Sequence, residues 1–318
     1  MAFHEKTALA ATGKWRGILL SFGVPERALS GKHGPCPICG GTDRFRYDDK
    51  DRRGTWICGQ CGAGDGMKLA IEFTGKPFSE VAARIDEMLG NLKPDSTLPK
   101  VDLTDEQRIK ALRAIWVETR PVTPGDLVHR YFDARGIEER VVYPRALRFG
   151  ERLRDGDGGV RPALVAMVGL FGVPKFVSMH RTFLRPDGLA KAEMPSPRKL
   201  MPGSLPDGAC VMLSDYTHGP LGIAEGIETA LSASILYEMP VWAAINSALM
   251  AKWHPPPACD EVAIFGDNDP KYGGQYAAYS LAHRLAVKNI EVSVHIPPIV
   301  GQDWNDVLMA SRGLSGGA

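Results

Sequence analysis

Residues 221–245 read LGIAEGIETALSASILYEMPVWAAI, and residues 261–270 read EVAIFGDNDP. Each opens on a short apolar, strand-like run that stops at a carboxylate, Glu225 in the first and Asp267 in the second, with a glycine beside it and helical spacing after it. The alternation continues outward. LGIAE, PVWAAI, EVAIFGD and IEVSVHIP read as strands, and GIETALSASILYE, SALMAKW, GGQYAAYSLAHRLAVKN and DWNDVLMAS read as the helices that follow them. Strands alternating with helices predict a mainly parallel sheet covered on both faces. Such a sheet gathers the residues at the carboxyl ends of its strands along one edge, where these folds bind ligands. Glu225, Asp267 and Asp269 are therefore expected to converge.

Clustered carboxylates repel one another unless divalent cations neutralise them, and an all-oxygen ligand set points to Mg²⁺ or Mn²⁺. Two such ions about 4 Å apart activate an attacking hydroxyl and stabilise a leaving phosphate oxygen, so phosphoryl chemistry is the expected use. GQDWNDVL adds Asp303 and Asp306 at a loop-to-helix junction, where aspartate is favoured as a plain helix cap; Asp303 is the candidate for an additional metal ligand.

Toward the N-terminus, HGPCPICGGTDRFRYDDKDRRGTWICGQCGAGDG carries two C-x-x-C knuckles, Cys36/Cys39 and Cys58/Cys61, with 18 residues between them. That spacing predicts a zinc ribbon whose four thiolates close the tetrahedral shell, which makes the zinc structural. RFRY and TWIC flank a polar turn and are the expected hairpin strands. His33, just before the first knuckle, is a possible substitute ligand but is not needed once four thiolates are present. Arg44, Phe45, Arg46, Tyr47 and Trp56 alternate cation and ring, which suits stacking on unpaired bases with contacts to phosphates, or else simply supplies the ribbon's own core. Cys210 and Cys259 stand alone.

The chain of 318 residues is 44% hydrophobic and 24% charged, with a formal net charge of +1, so bulk electrostatics give no case for nucleic acid. No run approaches the roughly 20 apolar residues that span a bilayer, and the first residues lack a leader pattern, so a cytoplasmic protein without membrane contact is expected. A helix is expected over residues 5–22, and two amphipathic helices at GDGMKLAIEFTG and PFSEVAARIDEML. The polar, proline-containing stretch NLKPDSTLPKVD is the expected linker. Three domains follow: 1–90 with the ribbon, 102–215 of mixed helix and strand, and 216–318 with the parallel sheet. Within the middle, Lys175, Arg181, Arg185, Lys191, Arg198 and Lys199 face only Asp187 and Glu193, a local excess of four positive charges.

EGIETALSA, GDNDPKYGGQYAA and GQDWNDVL resemble the three motifs of the topoisomerase-primase (Toprim) domain. With the ribbon ahead of them, the arrangement is similar to phage- and plasmid-type primases that carry an N-terminal zinc-binding domain. The resemblance is close over residues 30–68 and 220–312 and loose between. It implies a Rossmann-like C-terminal domain in which Glu225, Asp267 and Asp269 are catalytic, the glutamate as metal ligand or general acid/base and the aspartates as metal ligands. It further implies a DNA primase that joins ribonucleoside triphosphates into short RNA primers on a single-stranded DNA template, for replication of a phage, plasmid or other mobile element. Arg181, Arg185 and Lys199 are the expected contacts to template and nucleotide. Asn268 and Pro270 depart from the pattern, since many members have glycine between the two aspartates. Two other readings stay open: a zinc/Toprim recombination mediator that binds DNA without chemistry, and a Toprim nuclease or topoisomerase, although a topoisomerase needs a nucleophilic tyrosine in a further domain. The sequence holds no G-x-x-x-x-G-K-[ST] phosphate loop, so a separate replicative helicase is the expected partner.

Overall fold

The computed structural model describes residues 4–89, 105–137, 143–174, 177–201 and 205–314. It divides into two compact units, Met1–Val101 and Asp102–Ala318. The expected linker, residues 91–102, lies outside the described residues.

In the first unit, α1 (His4–Ala10) and α2 (Trp15–Ser21) replace the single helix expected over 5–22. The break is at Gly13, which takes a φ of 76° and donates its N–H to the Arg52 carbonyl at 2.7 Å. A 3₁₀ turn, Glu26–Leu29, leads into β1 (Gly34–Cys36), β2 (Gly40–Tyr47), β3 (Trp56–Cys58) and β4 (Gly62–Gly64), which pair antiparallel in that order. α3 (Gly66–Thr74) starts at Asp65, whose carboxylate accepts from the Lys68 N–H at 3.0 Å, and stops at the left-handed Gly75. α4 (Phe78–Leu89) follows. Trp15, Leu19, Phe45, Tyr47, Trp56, Leu69, Val81 and Ile85 fill one core between helices and ribbon.

The second unit opens with α5 (Asp105–Val117), β5 (Thr119–Pro121) and α6 (Leu127–Asp133). β6 (Leu147–Arg154), β7 (Val160–Val168), β8 (Ser178–Phe183) and β9 (Arg198–Leu200) complete an antiparallel meander in the order β5-β6-β7-β8-β9. Period-two alternation gives this sheet two buried faces. Ala163, Val165, Met179 and Phe183 pack with Leu112 of α5 on one side. Leu164, Ala166, Val168 and Leu200 join the larger core on the other, which the meander shares with the C-terminal layer. Residues 102–215 and 216–318, expected as separate domains, thus lie in one unit around a common core.

That layer runs β10 (Leu221–Ala224), α7 (Ile227–Tyr237), β11 (Val241–Ala243), α8 (Ser247–Ala251), β12 (Glu261–Phe265), α9 (Gly273–Ala286), β13 (Glu291–His295) and α10 (Trp304–Ser311). All four strands are parallel, in the order β11-β10-β12-β13. Every strand and helix expected here is present. The order means that the chain leaves β10 toward β11 and later returns to the other side of β10 as β12. A crevice therefore opens past the carboxyl ends of β10 and β12, the switch point at which α/β sheets hold ligands. Among the described residues, no helix is long and apolar enough to cross a membrane.

Candidate active site

β10 and β12 pair in register with Ala224 opposite Phe265. Neighbouring strands lie about 4.8 Å apart, so Glu225 and Asp267, one and two residues further on, emerge side by side at the switch point. Two glycines bring α9 onto this edge. A Cβ on Gly274 would stand 2.5 Å from the Asp267 carbonyl oxygen, and one on Gly266 would stand 2.9 Å from Ala278 Cβ. The Gly274 N–H donates to Asp269 Oδ2 at 2.8 Å, which fixes that carboxylate at the start of α9.

Asn268, the departure from the usual glycine, ties two loops together. Its Nδ2 donates to the Pro297 carbonyl at 2.7 Å, its backbone N–H to the Gln302 carbonyl at 3.0 Å, and its Oδ1 accepts from Gln275 Nε2 at 2.7 Å. The loop that leads to Asp303 is thereby held against the Asp267–Asp269 turn. Asp303 and Asp306 form a capping box: Asp303 Oδ1 accepts from the Asn305 and Asp306 N–H groups at 2.8 and 3.0 Å, and Asp306 Oδ2 accepts from the Asp303 N–H at 3.0 Å. Asp303 also acts electrostatically on Asp267. It is a cap and a neighbour of the acidic edge at once.

The electrostatics confirm the crowding. Burial first, and then Glu225, Asp303 and Asp269, push the Asp267 carboxyl well above the usual carboxylate range, with Arg198 acting in the opposite sense. Asp267 Oδ1 is buried and has no hydrogen-bond partner. A buried carboxylate oxygen left without a donor among other acids is costly, and a divalent cation at that point would satisfy it. The residues present fit such an ion, with Asp267, Asp269, Glu225 and Asp303 as the oxygen donors at hand. Their oxygens are not drawn together as tightly as the four sulfurs of the ribbon, which alone among the described residues form a group with all ligand atoms within 4.8 Å.

Sequence reading missed a second cluster behind this edge. Glu228, in the first turn of α7, is buried; its Oε1 lies 3.1 Å from Lys191 Nζ and accepts from the Tyr131 hydroxyl of α6. Burial alone would raise its carboxyl, but Lys191, Arg198, the Tyr131 hydroxyl and Arg135 outweigh it and hold the group well below the usual range. Arg135 lies 4.7 Å from the Tyr131 ring centroid and donates to Asn305 Oδ1 at 3.3 Å, while Asn305 Nδ2 donates to the Arg135 carbonyl at 2.8 Å and to Ser232 Oγ at 3.0 Å. His180 is buried beside this cluster and is pushed down to about 4, by burial first and Arg198 second. The only sequence sign of Glu228 is a carboxylate one helical turn after Glu225, which reads equally well as a solvated helix N-terminus.

The basic segment divides by strand parity. Thr182 pairs with Arg198, and Arg181 with Lys199. Arg181 and Lys199 share the face of β8 and β9 that turns toward α5, away from the parallel sheet; Arg181 donates to the Arg154 carbonyl at 3.1 Å and Lys199 to Asp157 at 2.7 Å. Arg185 is paired with Asp187 at 2.7 Å. The strand cation facing the acidic edge is Arg198, exposed and close enough to act on both Asp267 and Glu228. The sequence does not separate these faces, because phasing a three-residue strand requires its partner. Lys175 lies outside the described residues.

In the ribbon, Cys36 and Cys61 sulfurs are 3.9 Å apart and Cys39 and Cys58 sulfurs 3.7 Å. A tetrahedron with Zn–S bonds of about 2.3 Å has edges of about 3.8 Å, so the four sulfurs fit zinc. Each knuckle bends back to its first sulfur, through Ile38 N–H to Cys36 Sγ and Gln60 N–H to Cys58 Sγ, both 3.4 Å, and each ends on a left-handed glycine, Gly40 or Gly62. Without a cation the thiols compete for protons: hydrogen bonds from Cys58 and Cys61 pull Cys36 down to about 2, and burial pushes Cys39 up to about 12. His33 is exposed and outside the sulfur group. Tyr47 and Trp56, expected as stacking platforms, are fully buried with Phe45 in the ribbon's core, so their rings do not meet a ligand. The alternation turns Arg44 and Arg46 outward, Arg44 onto Gln60 and Arg46 toward Asp48 at 3.9 Å.

A family model described as the Toprim domain matches residues 220–313. The chain carries a Toprim domain. A model described as the zinc-binding domain of primase-helicase matches residues 31–67, and a domain of unknown function matches residues 106–212. The chain thus joins an N-terminal zinc ribbon, a mixed α/β middle and a C-terminal Toprim domain. Among solved structures it is similar to the zinc-binding and RNA polymerase domains of the Aquifex aeolicus primase, with 16% identity over 88% of this chain and 75% of that one, at a TM-score of 0.41. It is also similar to the primase fragment of the bacteriophage T7 primase-helicase, with 16% identity over 89% and 95% at 0.38, and to the E. coli primase catalytic core, with 12% over 58% and 69% at 0.40.

Proposed function

We propose that this protein is a DNA primase, which joins ribonucleoside triphosphates into a short primer on a single-stranded DNA template. The observation that carries the reading is the meeting of Glu225, Asp267, Asp269 and Asp303 at the switch point of the Toprim sheet, in a chain whose N-terminal ribbon matches a primase-helicase zinc-binding domain. Arg198 stands over the acidic edge with an exposed guanidinium suited to a phosphate, and no hydrogen bond or ion pair among the described residues occupies it. A bound Mg²⁺ or Mn²⁺ would supply charge neutralisation at the phosphate and a lowered pKa at a ligated hydroxyl.

The chain's own residues divide the remaining work. Asp267, Asp269, Glu225 and Asp303 hold the cation, with Asp267 Oδ1 as the donor that has no other use. Asn268 and Gln275 fix the turn so that the aspartates keep their positions. Arg198 orients the triphosphate against this edge. Glu228 holds Lys191 and Tyr131, and through them anchors the middle sheet that presents Arg198. Arg44 and Arg46 on the outer face of the ribbon contact template phosphates, a sequence-independent contribution that weakens with salt.

The test is incorporation of labelled ribonucleotides on single-stranded DNA with Mg²⁺. The unaltered protein should make short, chelator-sensitive products, and Asp267→Asn with Asp269→Asn should lose at least about a hundredfold in rate while still binding single strands. Failure of the unaltered protein to extend, or full synthesis by the double variant, refutes the reading.

A further inference from the structure

α9 buries Gly274, Ala277, Ala278, Leu281 and Leu285 against the sheet. Its opposite side carries Tyr276 and Tyr279, and Tyr272 caps its start; Tyr272, Tyr276 and Tyr279 are exposed to 72, 72 and 59%. The spacing of three sets Tyr276 and Tyr279 side by side along the helix, and Tyr272, whose φ of 59° lies outside the helical range, stands just ahead of them at the helix start. Val287, at 70% exposure, continues the line. One exposed ring needs no explanation, but three in a row form a contiguous patch of the kind that marks a binding face. The helix itself gains nothing from them, since tyrosine is an indifferent helix former and none of the three rings packs on another ring among the described residues.

The charge around the row selects its occupant. From Lys271 to Ile290 the sequence has Lys271, His283, Arg284 and Lys288 and no aspartate or glutamate. Arg284 is committed to the carbonyls of Ala251 and Trp253 and to His254. Lys271 and Lys288 flank the row at its two ends, both exposed. Exposed flat rings flanked by cations, on a segment that holds no aspartate or glutamate, fit a flexible polyanion that offers unpaired aromatic faces, namely single-stranded nucleic acid; a duplex keeps its base faces hidden in its own stack. The row also starts at the right place. The Tyr272 N–H donates to the Asp269 carbonyl at 2.9 Å, and the Tyr276 N–H to that of Tyr272 at 2.9 Å, so the line of rings leads directly away from the acidic edge.

We propose that Tyr272, Tyr276 and Tyr279 form a stacking row for single-stranded nucleic acid that leads away from the acidic edge. The place of this row beside a copied strand rests on the primase reading; the binding does not.

The experiment uses the full chain and fluorescently labelled oligothymidylate, with no nucleotide or divalent ion present, so polymerisation plays no part. Affinity is read by anisotropy across a salt series for the unaltered protein, for Tyr276→Gln with Tyr279→Gln, and for Tyr276→Phe with Tyr279→Phe. Glutamine keeps the helix, and thermal unfolding checks that both variants fold. The glutamine pair should bind about tenfold or more weakly. The slope of affinity against salt should stay unchanged, because stacking releases no counterions, and the phenylalanine pair should bind like the unaltered protein. Unchanged affinity in the glutamine pair overturns the proposal, and a simultaneous change in sedimentation would assign the row to a protein partner instead. Equal losses in both pairs also overturn it, since the hydroxyls rather than the rings would then be responsible. A protein that binds as expected but makes no primer leaves the row standing and removes the primase reading alone.

Discussion

Asp267 concentrates the conflict that a metal would resolve. Its carboxyl titrates above the ordinary range because it is buried and beside Glu225, Asp303 and Asp269, so the folded chain holds this proton more tightly than the unfolded chain does. Its contribution to stability is therefore present at low pH and is withdrawn as the pH rises through the ordinary carboxylate range toward the raised value. Asp267→Asn should remove that slope. In the absence of divalent ions near neutral pH the variant should gain about 1–3 kcal/mol, and Mg²⁺ should no longer raise its unfolding midpoint; a variant less stable than the parent, or still stabilised by Mg²⁺, would contradict the role given to this oxygen. Glu225 and Asp267 were legible as candidates in the sequence because each ends an apolar run next to glycine, and Asp269 because it follows Asp267 by two residues, a pattern that survives without coordinates. Arg198 and Glu228 were not, since an exposed strand residue and a first-turn glutamate carry no mark of the face they occupy. Tyr47 and Trp56 show the converse: alternation with arginines suited stacking and core equally, and only burial decides.

Among the elements, α6 and α7 are joined by buried charge rather than by apolar contact alone. Glu228 of α7 meets Tyr131 of α6 and Lys191 of the segment before β9, and Asn305 of α10 meets Arg135 just past α6. Removing one member of such a buried pair leaves the other uncompensated. Glu228→Ala should thus destabilise the second unit by about 3–5 kcal/mol. Glu228→Met combined with Lys191→Met should recover part of that loss, with a coupling of about 1–3 kcal/mol in denaturant unfolding. Additive losses would show that the pair is not coupled. The strands and helices after residue 220 were legible to the last element, because their periods change cleanly from two to 3.6. The meander was legible only as mixed structure: its strand order depends on register between β7, β8 and β9, which composition does not encode, and the break between α1 and α2 depends on a contact from Gly13 to Arg52 far along the chain.

At the scale of the whole molecule, the two units have different sources of stability. The first has a small core built around four sulfurs placed for a zinc ion; the second has the large shared core. Chelation should therefore unfold the first and leave the second in place. Calorimetry with and without a strong zinc chelator should show one transition lost and the other at its original midpoint, and equal displacement of both would contradict this division. Trp15 and Trp56 report the first unit, and Trp116, Trp242, Trp253 and Trp304 the second. The strand order β11-β10-β12-β13 also has a temporal side. On the ribosome Glu225 emerges with residues 226–266 still to come before Asp267, and Asp303 appears later again. A nascent chain halted within that interval owns half a crevice, and the four carboxylates of the acidic edge can meet only after residue 303 has been made.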